Sequence, residues 1–189
     1  MTVLYVVLGV AGAILLAIAL SYNRFVNQRN LIKDSWANID TELRRRYDLI
    51  PNLVETVKGY AAHERALFDE VTRARAAAAA ATGPPEQQAS AEAPLVRGVR
   101  QLLAVAENYP DLKASENFLD LQRRLTETED RLQAARRFYN ANVRDYNRRV
   151  QSFPSNVIAG VFNFVAAQFF EVEDAVRRPP QVDAPGGGA

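Results

Sequence analysis

A chain of 189 residues is about the length of one domain, and its 23 basic and 22 acidic side chains leave a net charge of +1. Because neither sign dominates, the composition gives no electrostatic reason to expect nucleic acid or an acidic substrate as a partner. The chain has no cysteine, which excludes disulfides, thiolate nucleophiles and thiolate metal sites, and His63 is its single histidine.

The amino end carries an uninterrupted apolar or small-residue run from Val3 to Leu20. As a helix this run is about 27 Å long, close to the ~30 Å hydrocarbon layer, and it therefore predicts a transmembrane anchor in contact with the lipid bilayer. A cleaved signal peptide is the alternative, because Ala17-Ile18-Ala19 has the small-x-small form of a cleavage site. Against it, only Met1 and Thr2 precede the run, so the usual basic leader is missing.

Positive charge lies on one side of this run. Arg24, Arg29 and Lys33 follow it, whereas only the terminal amine precedes it. The positive-inside rule then predicts a single-pass protein of the inner (cytoplasmic) membrane, with a short amino end outside and the body in the cytoplasm.

Beyond Arg24 the apolar residues recur every three or four positions with charged residues between them, which indicates one face of a long amphipathic helix. No glycine or proline stands between Leu20 and Ile50, so this helix is expected to continue directly from the span. Pro51 can neither donate the backbone hydrogen bond nor fit under the carbonyl one turn earlier. We therefore predict a kink or a restart at Pro51, with the apolar stripe continuing to about Ala76.

The segment that follows changes in composition. Six consecutive alanines lead into T-G-P-P-E-Q-Q-A-S-A-E-A-P, which predicts an exposed connection over about 77–94. A short third helix is expected from Leu95 to Asn108, and Asp111 or Ser115 is a candidate cap for the helix after it.

Residues 117–151 contain the most regular pattern, with Leu121, Leu125, Thr128 and Leu132 opening a heptad register of four repeats. The stripe holds only three leucines and continues into Ala, Tyr, Asn and Arg, which favours packing against the same chain over an isolated coiled coil.

Residues 157–172 are mostly apolar and include four phenylalanines, but they are short for a membrane span. A buried helix is the first interpretation, and contact with the bilayer or another subunit is the alternative. Residues 177–189, rich in proline and glycine, predict a disordered tail.

The residues offer little for catalysis. A carboxylate-bridged metal pair in a bundle needs Glu-x-x-His on two helices, and one histidine cannot supply it. No glycine-rich phosphate motif exists, so no cofactor is predicted. A carboxylate-dependent hydrolase or metal enzyme stays open as the alternative. The basic triplet Arg44-Arg45-Arg46 is expected on a solvated surface beside Asp40 and Glu42.

The stretch R-R-R-Y-D-L-I-P-N-L-V-E-T-V-K-G-Y-A-A-H-E, residues 44–64, resembles the hallmark stretch of the LemA family of bacterial membrane proteins. We call it the signature segment. The resemblance extends to Tyr22-Asn23, Arg29-Asn30, Ser35-Trp36-Ala37, Ile39-Asp40, Ala74-Arg75, residues 104–114, Asn117-Phe118, Leu121-Gln122, Thr128-Glu129, residues 135–140, Tyr146-Asn147 and Phe153-Pro154-Ser155-Asn156.

The resemblance implies one membrane span followed by an antiparallel helical bundle, with the short amino end outside the cell. It implies membrane-associated interaction or scaffolding work, with a family link to magnetosome membranes, and it carries no catalytic residues to this chain. Between Phe164 and Phe169 this sequence has Val-Ala-Ala-Gln where a Lys-Pro or similarly polar turn is expected. The apolar segment near the carboxyl end is therefore expected to be more continuous here.

Together these observations predict an all-α protein, with an anchor at 1–21, a bundle of long antiparallel helices at 22–176 and the tail at 177–189. The predicted function is a non-enzymatic interaction or scaffold module that self-associates or binds a membrane or cytoplasmic protein, without nucleic acid. The candidate interaction or structural-signature positions are Arg44, Arg45, Arg46, Asp48, Pro51, Asn52, His63 and Glu64.

Overall fold

The computed structural model describes residues 1–171, which form six α-helices and no β-strand. This confirms the all-α prediction. The helices are α1 (Thr2–Lys58), α2 (Arg65–Ala80), α3 (Pro85–Ala106), α4 (Pro110–Lys113), α5 (Glu116–Gln151) and α6 (Ser155–Val161). The predicted tail at 177–189 lies outside the described residues.

Helix α1 has two parts with different surroundings. No residue between Val3 and Leu20 is buried, whereas Phe25 and the stripe beyond it face the core. Within residues 1–171, α1 is the one helix long and apolar enough to cross a membrane, as expected of the anchor. The helix neither ends nor restarts at Pro51 and runs on to Lys58. The break falls at 59–64 instead, inside the stripe that was expected to continue to Ala76.

Helix α5 packs against α1 in the antiparallel direction. Phe25 contacts Tyr146, Ser35 accepts a hydrogen bond from Asn142, Arg46 pairs with Glu129, and Thr56 accepts one from Asn117. The residue numbers of the contacting positions fall along α5 as they rise along α1, so the two helices are antiparallel. The contacts extend over 31 residues of α1, or about 46 Å. The heptad stripe thus packs inside one chain, as predicted. The side chain of Ser115 caps α5 by accepting from the backbone N–H of Phe118.

Helices α2 and α3 form a second antiparallel pair, which corrects the predicted exposed connection at 77–94. Only residues 81–84 separate the two helices, and α3 already begins at Pro85, ten residues before the predicted start. Ala78 and Ala89 are buried, so alanine and proline in this stretch do not make a linker. At Gly98 a Cβ atom would stand 2.9 Å from Cγ2 of Val71, which shows how closely the two helices approach.

The carboxyl-terminal segment also differs from the helix predicted at 157–172. Helix α6 ends at Val161, Asn163 takes a positive φ of 55°, and the chain continues without helix to 171. Two asparagines of α5 replace the missing helical partners. Asn147 exchanges two hydrogen bonds with the backbone of Ala167, and Asn140 exchanges two with that of Phe170. Phe164 and Phe170 are buried, so this segment closes one side of the bundle.

Candidate functional site: a buried polar cluster at the signature segment

The basic triplet divides between surface and interior. Arg44 pairs with Asp40 at 2.9 Å and Arg45 with Glu42 at 3.0 Å, and both arginines are exposed, as predicted. Arg46 is not on the solvated surface that was expected, because its side chain is only 5% exposed. The heptad-like stripe of α1 places it between Leu43 and Ile50, on the face that packs against α3 and α5.

The other predicted positions lie apart from Arg46. Asp48, Pro51 and Asn52 are exposed on α1. His63 and Glu64 are exposed in the connection 59–64, where Glu64 precedes α2 without a side-chain capping bond. The structure therefore brings none of these five side chains into the buried cluster.

Arg46 joins three helices through two carboxylates. One terminal nitrogen donates to Glu92 of α3, which is fully buried, and the other donates to Glu129 of α5 at 3.0 Å. Charge-assisted bonds of this kind are about twice as strong as neutral ones, and the planar guanidinium suits two acceptors at once. Arg46 therefore clamps α1 to both α3 and α5.

Tyr47 is a second hydrogen-bond donor to the carboxylate of Glu92. Its hydroxyl donates to the carboxylate and accepts a bond from the amide of Gln88 at 3.2 Å, while the same amide donates to the carbonyl of Ala78 at 3.2 Å. Burial, and then the hydrogen bond to Glu92, raise the pKa of the Tyr47 phenol well above its usual value. The phenol is thus a neutral donor that links α1 to both helices of the α2–α3 pair.

Pro51 and Arg75 both affect the hydrogen bonding of one backbone carbonyl, that of Tyr47. Because proline has no N–H, the carbonyl of Tyr47, four residues earlier, has no partner within its helix. Nε of Arg75, on α2, donates to that carbonyl at 2.6 Å. Pro51 therefore leaves a backbone carbonyl of α1 free to accept a hydrogen bond, and Arg75 of α2 donates that bond.

The cluster is closed to solvent at Glu92 and joins α1 to its neighbouring helices. The carboxylate of Glu92 is surrounded by Arg46 and Tyr47 and has no exposed surface. Two open surface depressions among residues 1–171 are lined by other side chains. Over the same residues, no three or more His, Asp or Glu side chains gather closely enough to hold a metal ion.

Arg75, Gln88, Glu92 and Glu129 were not among the predicted site positions, although Arg75 and Glu129 stand in stretches that resemble the family. A signal for two of them was present: extending the apolar stripe of α3 back from Leu95 by three and seven residues reaches Glu92 and Gln88. Polar residues on a core-facing stripe need buried partners, and an arginine on the facing stripe of α1 supplies one. The proline-rich composition of this stretch concealed the pattern.

A bundle whose longest helix carries an apolar span, and whose core is tied by buried ions, defines a membrane-associated helical protein. The sequence model of the LemA family matches residues 35–183, and the chain belongs to that family. It is 24% identical over 192 residues to magnetosome protein MamQ 2 of Paramagnetospirillum magneticum, covering 88% of this chain and 71% of that one. It is 25% identical over 158 residues to protein LemA of Metamycoplasma hominis, covering 80% and 70%.

Proposed function

We propose that the chain is a non-enzymatic scaffold module that holds a rigid helical bundle at a fixed height on the inner membrane and binds other proteins or further copies of itself. The observation that carries this proposal is the continuity of α1. One helix contains both the apolar span and the longest core face, and its part from Ser21 to Lys58 is about 57 Å long. A bundle built on the anchor helix itself cannot swing on a flexible linker.

The distribution of charge supports this use. Buried ions are paired with one another inside the bundle, as at Arg46 and Glu92. The charges on the outer faces of α1 and α5 form local pairs such as Arg44 with Asp40 and Arg124 with Asp120. Exposed pairs of this type contribute little to stability, so they can exchange partners at little cost when another surface approaches.

The positive charge beyond the span supports a cytoplasmic body. Arg24, Arg29 and Lys33 lie just after the apolar run and favour the cytoplasmic side. A reporter enzyme fused after Ala189 should be active only when the reporter works in the cytoplasm. A matched reporter that works only outside the cytoplasm serves as the control, and activity from that second fusion would reverse the orientation.

The interaction itself is tested in membranes that contain the full chain. A photo-crosslinking residue at Phe138, which is 51% exposed on α5, should give a discrete adduct with a second copy or with one other protein. The same residue at Ala159, which is buried, and at Phe138 in a chain lacking residues 1–20 are the matched controls. A purified chain that turns over a substrate, and loses that turnover on His63→Ala or on loss of an acidic pair, would contradict a non-enzymatic role.

A further inference from the structure

An apolar surface remains uncovered at the end of the bundle where α5 turns into α6. We call it the juxtamembrane surface. Its side chains share high exposure: Phe153 83%, Val157 56%, Val161 74%, Phe162 45% and Val165 68%. Single exposed apolar residues are ordinary, but five within thirteen residues are a local concentration of the kind that marks an interaction site.

The aromatic contacts fix the height of this surface. The ring of Phe162 lies 5.0 Å from that of Tyr22, and the ring of Phe164 stacks on Phe25 at 4.7 Å. Tyr22 stands only two residues, about 3 Å, beyond Leu20 at the end of the apolar run. The juxtamembrane surface therefore lies beside the point at which α1 leaves its apolar part.

Helix α5 gives an independent measure of the same height. Tyr146 lies level with Phe25, and α5 continues for five residues, about 8 Å, toward the span before it ends at Gln151. That distance brings its end level with Leu20. Ile18 is the single half-covered residue between Val3 and Leu20, as expected if the bundle packs onto α1 down to this level.

Basic residues predominate around the surface. Residues 3–33 and 146–170 contain five basic residues, Arg24, Arg29, Lys33, Arg148 and Arg149, whereas the acidic residues Asp34, Asp145 and Glu171 stand just outside these ranges. Arg29 lies over the ring of Phe164 and Arg149 over that of Phe25, at 5.7 and 6.0 Å from the ring centres. Burial, and then the neighbouring Arg24, lower the pKa of Arg149.

We propose that residues 153–165 form a second membrane contact, with Phe153, Val157, Val161, Phe162 and Val165 inserted into the headgroup region of an anionic bilayer beside the span. Apolar side chains rimmed by arginine and lysine are the composition of segments that lie in the plane of an interface. Anionic headgroups complement the five basic residues. A second copy would bring the same positive charge against this surface, so the bilayer is the occupant that the charge favours.

This inference rests on the anchor assigned in the proposed function, and the experiment separates the two. The chain has no cysteine, so each cysteine substitution carries one spin label. The full chain is placed in phosphatidylcholine vesicles with or without phosphatidylglycerol, and the accessibility of the label to oxygen is compared with that to a water-soluble nickel complex. Val161→Cys and Val157→Cys report on the proposed contact, and Ile14→Cys reports on the anchor.

Leu119→Cys is the matched control, because Leu119 is also an exposed apolar residue, at 50%. It lies at the opposite end of the bundle, where Asn117 contacts Thr56, about 54 Å along α1 from Leu20. Labels at Val161 and Val157 should shift toward oxygen accessibility, as at Ile14, whereas the label at Leu119 should stay accessible to nickel. Removing phosphatidylglycerol should reverse the shift at Val161 but leave Ile14 unchanged.

Three results would overturn the inference. Labels at Val161 and Val157 that behave like the label at Leu119, while Ile14 stays in the bilayer, would remove the second contact and leave the anchor intact. A nickel-accessible label at Ile14 would remove the anchor as well. Spin–spin broadening at Val161 that disappears on dilution with unlabelled chain would show that another copy covers the surface instead of lipid.

Discussion

Arg46→Met is expected to lower the free energy of unfolding by about 3–5 kcal/mol, because it leaves the carboxylate of Glu92 buried without its counter-charge. Methionine replaces the apolar stem of the arginine, so the loss reflects the missing charge more than a missing volume. The measurement is urea denaturation of the full chain in detergent, followed by circular dichroism of the helical signal.

Arg45→Met is the matched control for this change. Arg45 stands one position earlier on the same helix, but its pair with Glu42 is exposed on the arginine side, at 51%. We expect its loss to change the free energy of unfolding by less than about 1 kcal/mol. Equal effects at positions 45 and 46 would show that burial of Arg46 does not matter to stability.

Removing both charges is expected to recover most of the loss. In the double variant Arg46→Met with Glu92→Leu, no unpaired buried charge remains, and apolar replacements of buried ion pairs are often neutral or stabilising. Glu129 is 38% exposed and can turn toward water, and the hydroxyl of Tyr47 keeps an acceptor in the carbonyl of Ala78 at 3.4 Å. A double variant as unstable as Arg46→Met alone would contradict a clamp based on charge neutralisation.

The sequence predicted those elements whose packing follows from a repeating local pattern. The continuous apolar run at the amino end and the heptad stripe of α5 are both local patterns, and the structure places both in long helices. The cap at Ser115 is equally local, since it joins a side chain to the backbone three residues later. The apolar stripe also indicated that Arg46 is buried, because Arg46 lies in it between Leu43 and Ile50. The three arginines were nevertheless predicted together to lie on the surface.

The carboxyl-terminal segment could not be predicted in the same way. Its backbone is held by Asn140 and Asn147, which lie 30 and 20 residues away along the chain. Such bonds depend on the direction in which the non-helical segment after α6 returns along α5, and no periodicity in residues 157–171 contains that information. The folded structure shows why Asn140 and Asn147 stand at half-buried positions of α5: they bind the backbone of the segment that packs there.

The α2–α3 pair illustrates a third case, in which local preferences disagree with the packed structure. Pro94 lies inside α3, and Gly98 follows it by one turn. Both disfavour a helix on intrinsic grounds. Burial of Leu95, Val99 and Leu102, together with the close approach at Val71, offsets that preference. Tertiary packing thus decides this element, whereas composition alone suggested a linker.

Arg75→Ala is expected to lower the free energy of unfolding by about 1–3 kcal/mol, because the carbonyl of Tyr47 loses its donor in a chain that has Pro51. In a chain carrying Pro51→Ala the loss should be smaller, since the restored N–H at position 51 reaches the same carbonyl within α1. The difference between the two losses, at least about 0.5 kcal/mol, measures the coupling between proline and arginine. The four chains are compared by urea denaturation in detergent.

Arg73→Ala provides the matched control in both backgrounds. Nε of Arg73 also donates to a carbonyl, but that carbonyl belongs to Asp69 of its own helix, at 3.2 Å. Its loss should be small and the same with proline or alanine at position 51. If Arg75→Ala costs as much in the Pro51→Ala chain as in the chain that keeps Pro51, the proline does not create the acceptor that Arg75 fills. If the costs differ as expected, the role of Pro51 in the signature segment is to free the carbonyl of Tyr47, through which Arg75 joins α2 to α1.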